Sequence, residues 1–389
     1  MSDAIVVGGG CMGLATAHHL TRADASMAVT VVERDPTLER SSTLLSDGNV
    51  RIQFNLEENI VISRYAMAVL ESFDDEMETE GTRPQVAMRR QGNLFLSDAD
   101  GMPDALAGLE RQVAHGCEVR WMDMAEVAAE FPPYWSPQLV GGTFGPDDGS
   151  VDPTAVVEGY RRAAVASGVT FRQAEVTGLT AKSGLVSGVE LAGGEVLSAP
   201  TVVVCAGAWS TALLATVGVE IPVEPVMRTV YVVASDVGRG MSLPSAFLPS
   251  GVYVIPEHER TFLIAWSLPD DPVGFDFTPA DRSRFYDIIW PELAHHLPAF
   301  DRLEVVRSWA GLYEQNILDA NAIVGEWPTV GGLYQATGFS GHGFQQCHAV
   351  GRHLAELITG AEPSLDLSRL GPARILSGEP LHEHSGRII

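Results

Sequence analysis

Near its start the chain carries three glycines at a spacing that suits a phosphate, Gly8-x-Gly10-x-x-Gly13. In such a turn the first glycine permits the tight bend, the second lets a pyrophosphate approach the main chain, and the third lets a helix pack closely on a strand. An apolar run, Ala4 to Val7, precedes the turn, and apolar residues at helical spacing (Leu14, Ala15, Ala17, Leu20) follow it. The N-terminus of that helix offers unpaired N–H groups and partial positive charge to phosphates. A second apolar run, Val29 to Val32, ends on Glu33, about 20 residues past Gly13, where a carboxylate can accept hydrogen bonds from ribose hydroxyls. Strand, turn, helix, strand and acid agree on a dinucleotide site, without separating a flavin from a nicotinamide.

With 389 residues the chain is long enough for two domains, or for one large domain with an inserted one. A composition of 46% hydrophobic and 19% charged residues is that of an ordinary globular protein with a large core. No run of about 18 apolar residues is present, so no membrane span is expected. The first apolar strand begins at Ala4, leaving no room for a leader, and the protein is expected to be cytoplasmic. A net charge of −25 argues against nucleic acid and anionic lipid as partners. Lys182 is the single lysine, which closes most lysine chemistry to this chain. Cys11, Cys117, Cys205 and Cys347 are scattered and support neither a metal site nor a disulfide framework.

Along the chain, helical periodicity covers Leu56 to Phe73, Pro103 to His115 and Met124 to Phe131, and Asp152-Pro153 caps a further helix to Ser167. Val86 to Met88 with Gly92 to Leu96 reads as a strand pair, and Gly141 to Gly149 as a turn-rich return from an insertion. A continuous apolar strand, Thr201 to Cys205, ends in the small-residue turn Ala206-Gly207-Ala208-Trp209-Ser210, which suits a close-lying ligand in a parallel sheet. Between Val219 and Ala310 strands dominate, with one helix over Pro279 to Leu297, as in an antiparallel sheet of a second domain. Near the C-terminus the pattern returns to strands at Ile323 and Leu333. A second glycine-rich turn, Gly338-Phe339-Ser340-Gly341-His342-Gly343-Phe344, then opens a helix that Gly360 ends.

The N-terminal fingerprint with Glu33, the strand ending at Trp209-Ser210 and the Gly338 to Phe344 turn together resemble the D-amino-acid oxidase family of flavoenzymes, in particular its sarcosine oxidase and dimethylglycine dehydrogenase branch. Pro222-Val223-Glu224-Pro225 followed by Arg228 and Tyr231 is similar to that branch too. The resemblance covers essentially the whole chain. It implies FAD and an α/β (α+β) fold: a Rossmann-like, glutathione-reductase-like FAD-binding domain plus an antiparallel-sheet substrate domain. The expected segments are 1–80, 146–218 and 320–389 for the first domain and 81–145 and 219–319 for the second. It further implies that Gly8, Gly10, Gly13 and Glu33 hold the ADP half with Arg34 and Ser42 nearby, that Val176 contacts adenine, and that Gly207 and Trp209 lie along the cofactor. Gly341, His342, Gly343 and Phe344 then approach the flavin end.

Several positions depart from the family pattern. The histidine or cysteine that tethers FAD in some relatives is missing, since Ser41 to Gly48 holds no histidine and Gly311 precedes Leu312-Tyr313; non-covalent FAD is expected. Phe54 and Gln345 stand where sarcosine oxidases bind the substrate carboxylate, and Leu263 or a neighbour where they place an oxygen-activating lysine. The electron acceptor is therefore either oxygen, activated by another charge such as Arg51, or something else. Arg51 is expected in the site, paired with a substrate carboxylate or with Glu57. Tyr313 and Tyr253 are either substrate contacts or packing, and Arg228 and Arg307 either bind an acid or brace the domains. His348, His353 and His382 to His384 read as surface residues, and Cys11 and Cys347 as small packing residues.

With Arg51, Tyr253, Tyr313 and Gln345 on the substrate side, the leading reading is oxidation of the C–N bond of an amine or of an N-substituted or cyclic amino acid. A hydride passes to flavin N5 and an imine results, with no conventional general base required. The alternatives are an FAD-dependent 2-hydroxy-acid dehydrogenase or a flavin-bound assembly protein; an NAD-linked dehydrogenase is disfavoured by the Gly338 to Gly343 turn.

Overall fold

A computed structural model describes residues 2–258 and 260–383; His384 and the end of the 320–389 segment lie outside the described residues. A six-stranded sheet runs in the order Ile323–Glu326, Leu333–Thr337, Thr201–Val204, Ala4–Val7, Val29–Glu33, Thr170–Gln173. All neighbours are parallel except the antiparallel pair Ile323–Glu326 and Leu333–Thr337. The central strand Ala4–Val7 is wholly buried, because both faces of the sheet are covered. Ala4 and Val6 pack toward the helices Cys11–Ala23 and Gly343–Thr359, with Leu14, Ala15, Val350 and Leu354. Ile5 and Val7 point to the opposite face, toward Leu179, Val186 and Val189 of a small sheet built from Val176–Lys182, Leu185–Leu191 and Val196–Ser198.

The second large sheet has eight strands, ordered Glu304–Asn316, Val223–Ala234, Thr261–Ala265, Tyr253–His258, Ser245–Phe247, Asn93–Ser97, Gly141–Gly145, Arg120–Asp123. Its pairs are antiparallel apart from Ser245–Phe247 with Asn93–Ser97. One face packs a separate core around Tyr134, Tyr231, Phe262, Phe285, Leu293 and Phe300. The other carries Phe95, Val230, Phe247, Tyr253, Ile255 and Leu263.

Three local readings are corrected. Gly141–Gly145 is a fully buried inner strand rather than a turn. Gly142 is needed there because a Cβ on it would lie 2.6 Å from the Phe95 carbonyl oxygen. Val86 to Met88 is not a strand: Gln85 and Ala87 have φ of 65° and 50°, which breaks an extended run. The helix expected from Pro279 begins only at Arg282, capped by the Asp281 side chain, and passes through a π-helical turn at Phe285–Ile289 before Trp290–His296.

Candidate active site

Between the two large sheets lies one continuous cleft of about 1010 Å³. At one end stands the Gly8 to Gly13 turn. A Cβ on Gly8 would lie 2.3 Å from the Cys205 carbonyl oxygen, and one on Gly13 would lie 2.0 Å from the Gly8 carbonyl oxygen. Both positions therefore exclude any larger residue, and helix Cys11–Ala23 starts directly under the cleft with Gly10 as its N-cap. Glu33 is oriented by two backbone donors, Gly9 N–H to Oε2 at 2.7 Å and Asp35 N–H to Oε1 at 2.8 Å. Arg34 stacks its guanidinium over Trp209 at 4.0 Å, and Val176 and Gly207 line the same end. Nothing lies within 4 Å of where a Gly207 side chain would start. Ser42 also lines the cleft, donating its hydroxyl to the Leu312 carbonyl at 2.6 Å.

At the far end the turn Ser340 to Gly343 leads into helix Gly343–Thr359, with His342 as N-cap. Gly341 has φ +100°, and a Cβ there would come within 2.6 Å of the Tyr313 ring, so only glycine lets that ring lie against the turn. Two helix N-termini thus face one elongated cleft. Each carries N–H groups with no intrahelical acceptor and a partial positive charge. The cradle fits an extended dinucleotide with its phosphates at the first turn and its redox ring near the second.

The wall beyond the second turn holds Arg51, Phe54, Tyr253, Tyr313, Arg228 and Phe247. Arg51 is buried, yet among the described residues no carboxylate forms an ion pair with it. Its guanidinium lies over the rings of Phe54 and Phe95, at 4.4 and 5.3 Å, and its Nη2 meets His342 Nε2 at 3.3 Å. Burial and the Arg51 charge push the His342 pKa down to about 3, so the imidazole is neutral and Nε2 accepts from Arg51. Burial also pulls the Arg51 pKa below its ordinary value. Glu57, offered as its partner, instead lies 4.0 Å from His115.

Gln345 lines the cleft, but its amide is occupied: Nε2 donates to the Arg51 carbonyl and to Ser63 Oγ, and Oε1 accepts the Arg51 N–H. Phe54 is buried under Arg51 with its ring edge-on to His342. Burial raises the Tyr313 pKa to about 12 and that of Tyr253 well above the ordinary value, so both hydroxyls are protonated donors. Arg228 pairs with Asp271 and carries its guanidinium 5.3 Å from the Tyr313 ring. Leu263 is buried on the strand beside Tyr253–His258. Lys182 ends the exposed hairpin strand Val176–Lys182 and does not line the cleft.

Five residues were misread or missed. His348 and His353 are buried, and His348 Nδ1 meets the Tyr160 hydroxyl at 2.7 Å beneath Phe73. Asp148 accepts from the Ile52 N–H at 2.8 Å and from Gln53 Nε2 at 2.9 Å, supporting the Arg51 segment from behind; burial raises its pKa to about 7. Glu314 faces the cleft and accepts from the Thr337 hydroxyl at 2.8 Å, and burial raises its pKa to about 7. Asp47 also lines the cleft. Nothing in the polar run Ser46-Asp47-Gly48 marks it in the sequence. Among the described residues no cluster of acids, histidines and cysteines could hold a metal, and no helix is long and apolar enough to cross a membrane.

The family described as FAD dependent oxidoreductase (DAO) matches residues 3–357. The chain is 34% identical to FAD-dependent oxidoreductase domain-containing protein 1 of Xenopus laevis, over 99% of this chain and 84% of that protein. It is 29% identical to glycine oxidase of Pseudomonas putida, over 95% and 98% of the two chains. L-proline dehydrogenase from P. horikoshii shares the fold with a TM-score of 0.86 and 25% identity, over 98% of this chain and 99% of that one. FAD is the cofactor of this family, and the cleft that runs from Gly8, Gly10 and Glu33 to the turn at Gly341 to Phe344 has the length and the two helix N-termini that would hold it. The chain belongs to the DAO family of FAD-dependent oxidoreductases.

Proposed function

We propose that the protein oxidises the C–N bond of an N-substituted or cyclic amino acid to an imine. The observation that carries this reading is Arg51, a buried cation on the cleft wall whose only polar side-chain partner among the described residues is a neutral histidine. A buried charge without a carboxylate in ion-pair contact is costly, and a substrate carboxylate would supply one. The guanidinium can bind that carboxylate through parallel N–H donors, fixing one end of the substrate. Phe54, Phe247, Tyr253 and Tyr313 then enclose the carbon skeleton and exclude water. FAD, when bound, supplies the two-electron acceptor, and the protein supplies position and charge. Glycine oxidase and L-proline dehydrogenase among the relatives support an amino-acid substrate.

Anaerobic mixing of the FAD-loaded protein with sarcosine, L-proline and iminodiacetate tests this reading. Loss of flavin absorbance with at least one of them is expected. Bleaching by lactate or other 2-hydroxy acids, and by no amine, would overturn it in favour of alcohol oxidation. Flavin that no donor bleaches would point to an assembly role.

A further inference from the structure

Asp47 has no part in the site described so far, yet it faces the same end of the cleft as Arg51. It is half-buried and opens on the cleft. The Asn49 N–H donates to its carboxylate at 3.0 Å, and the Tyr253 hydroxyl faces it as a second donor. Both partners come from elements fixed by sheet pairing: Asn49–Val50 pairs with Gly149–Ser150, and Tyr253 with Ala265 and Phe247. The carboxylate is therefore held in one place while its open side remains toward the cleft.

The charges around Asp47 are mixed. Burial, with a smaller push from Glu257, outweighs the Asn49 and Tyr253 hydrogen bonds and the Arg51 charge that favour its anion, and raises its pKa above the ordinary aspartate value. Tyr253 and Tyr313 face it as neutral hydroxyls, and Arg228 stands near both tyrosines. The other acids on the cleft wall are otherwise placed. Glu33, Asp35, Glu39 and Glu175 cluster at the ADP end, and Glu314 is engaged by Thr337.

We propose that Asp47 binds the ammonium group of the substrate and accepts its proton. In that step one N–H bond of the ammonium breaks and one O–H bond forms on the Asp47 carboxylate; no electron leaves the substrate, and the amine is left neutral with its lone pair free. Arg51 holds the carboxylate end of the same molecule, so the cleft wall matches a zwitterion. Burial moves the Asp47 pKa above that of an ordinary aspartate, the direction a proton acceptor needs. The proposal rests on the C–N reading above and adds the residue that generates the reactive amine.

The test is anaerobic rapid mixing of the FAD-loaded protein with a member of the amine panel across pH 6 to 10, for wild type and Asp47→Asn. Binding of methoxyacetate, which has the carboxylate but no ammonium, is measured in parallel from the shift it causes in the flavin spectrum. Without an internal acceptor the variant must recruit the free amine from solution, whose pKa is roughly 10 if it resembles a lysine amine. The second-order rate constant for flavin reduction should therefore fall about 100-fold or more at pH 7. It should then climb about tenfold per pH unit toward the amine pKa, while wild type stays flat between pH 7 and 9. Methoxyacetate affinity should stay within about twofold of wild type.

Tyr253→Phe provides an independent arm. Loss of a donor to the Asp47 anion raises the aspartate pKa further, so the acid limb of the wild-type profile should move to higher pH. An Asp47→Asn profile parallel to wild type, or a loss of rate independent of pH, would overturn the proposal and leave the C–N reading intact. A wild type that no amine reduces, while 2-hydroxy acids do, would overturn both.

Discussion

Gln345 brackets the backbone of Arg51, donating from Nε2 to its carbonyl at 2.9 Å and accepting its N–H on Oε1 at 2.8 Å. Gln345 sits in the first turn of helix Gly343–Thr359. The helix N-terminus at the second glycine turn therefore sets the position of the buried cation on the cleft wall. Ser63 on helix Glu57–Glu76 gives Gln345 Nε2 its second acceptor, at 2.7 Å, so three elements meet at one amide.

Gln345→Ala should leave a buried N–H and carbonyl of Arg51 without their partners. A stability loss of about 1–3 kcal/mol is expected. It should appear as a lower midpoint in urea with an unchanged slope, together with weaker binding of a carboxylate probe such as methoxyacetate. Unchanged stability would show that water replaces the amide without cost.

Arg51→Met should separate binding from folding. Loss of the charged partner of a bound carboxylate costs about 2–5 kcal/mol, which is a weakening of at least about thirtyfold. Folding should weaken little, because among the described residues no carboxylate is in ion-pair contact with Arg51 and an apolar side chain avoids its burial cost, which offsets the lost attraction of the more distant Glu383, Asp148 and Asp47. Titration of methoxyacetate and thermal unfolding of the same samples check both halves.

The glycine turn makes a prediction about the cofactor itself. A Cβ on Gly10 would stand 3.2 Å from Thr43 Oγ1, a contact the fold can absorb, but it would project into the space that a pyrophosphate needs. Gly10→Val should fold with wild-type circular dichroism and lack the flavin absorption band. In the wild type, acid precipitation should release the yellow cofactor to the supernatant, because Gly311 offers no side chain for a covalent bond. Colour that remains in the washed pellet would refute non-covalent binding.

Asp148 predicts a pH dependence of stability. Burial raises its pKa from an ordinary 3.8 to about 7, so the folded state binds more protons than the unfolded one between those values. Stability from this group is full below about 4 and declines as pH rises to about 7. Asp148→Asn should flatten the fall in the urea midpoint between pH 4.5 and 7.5. Glu314, raised to about 7 in the same way, contributes in the same direction, so Glu314→Gln should flatten it further. A wild-type midpoint that rises across this range would contradict both assignments.

The parts of this fold that were readable are those whose causes are local. Gly8 to Glu33 forms strand, turn, helix and strand within one short stretch, and each residue's role depends on neighbours close in the chain. The Asp152-Pro153 cap was legible for the same reason: its side chain accepts from the Thr154 N–H two residues on, at 2.8 Å. Gly141–Gly145 was not, because its glycines answer to Phe95 and Met122 on neighbouring strands and not to a turn of their own. His348 was taken for a surface residue because its hydroxyl partner, Tyr160, lies 188 positions away.

The same division runs through the site. The amino-acid sequence was sufficient to identify a dinucleotide turn, a second glycine turn and a chain with one lysine, since residue type and short spacing determine these. Which groups share a wall was decided by the packing of two sheets against each other. Arg51 and Gln345 are 294 positions apart, and only the packing of helix Gly343–Thr359 against the Arg51 segment brings them into contact. Asp47 meets the Tyr253 hydroxyl by the same route, because sheet pairing of the Tyr253–His258 strand brings that ring to it from 206 positions away. Short-range spacing sets the backbone path, whereas the charge balance of a buried wall depends on every element that faces it.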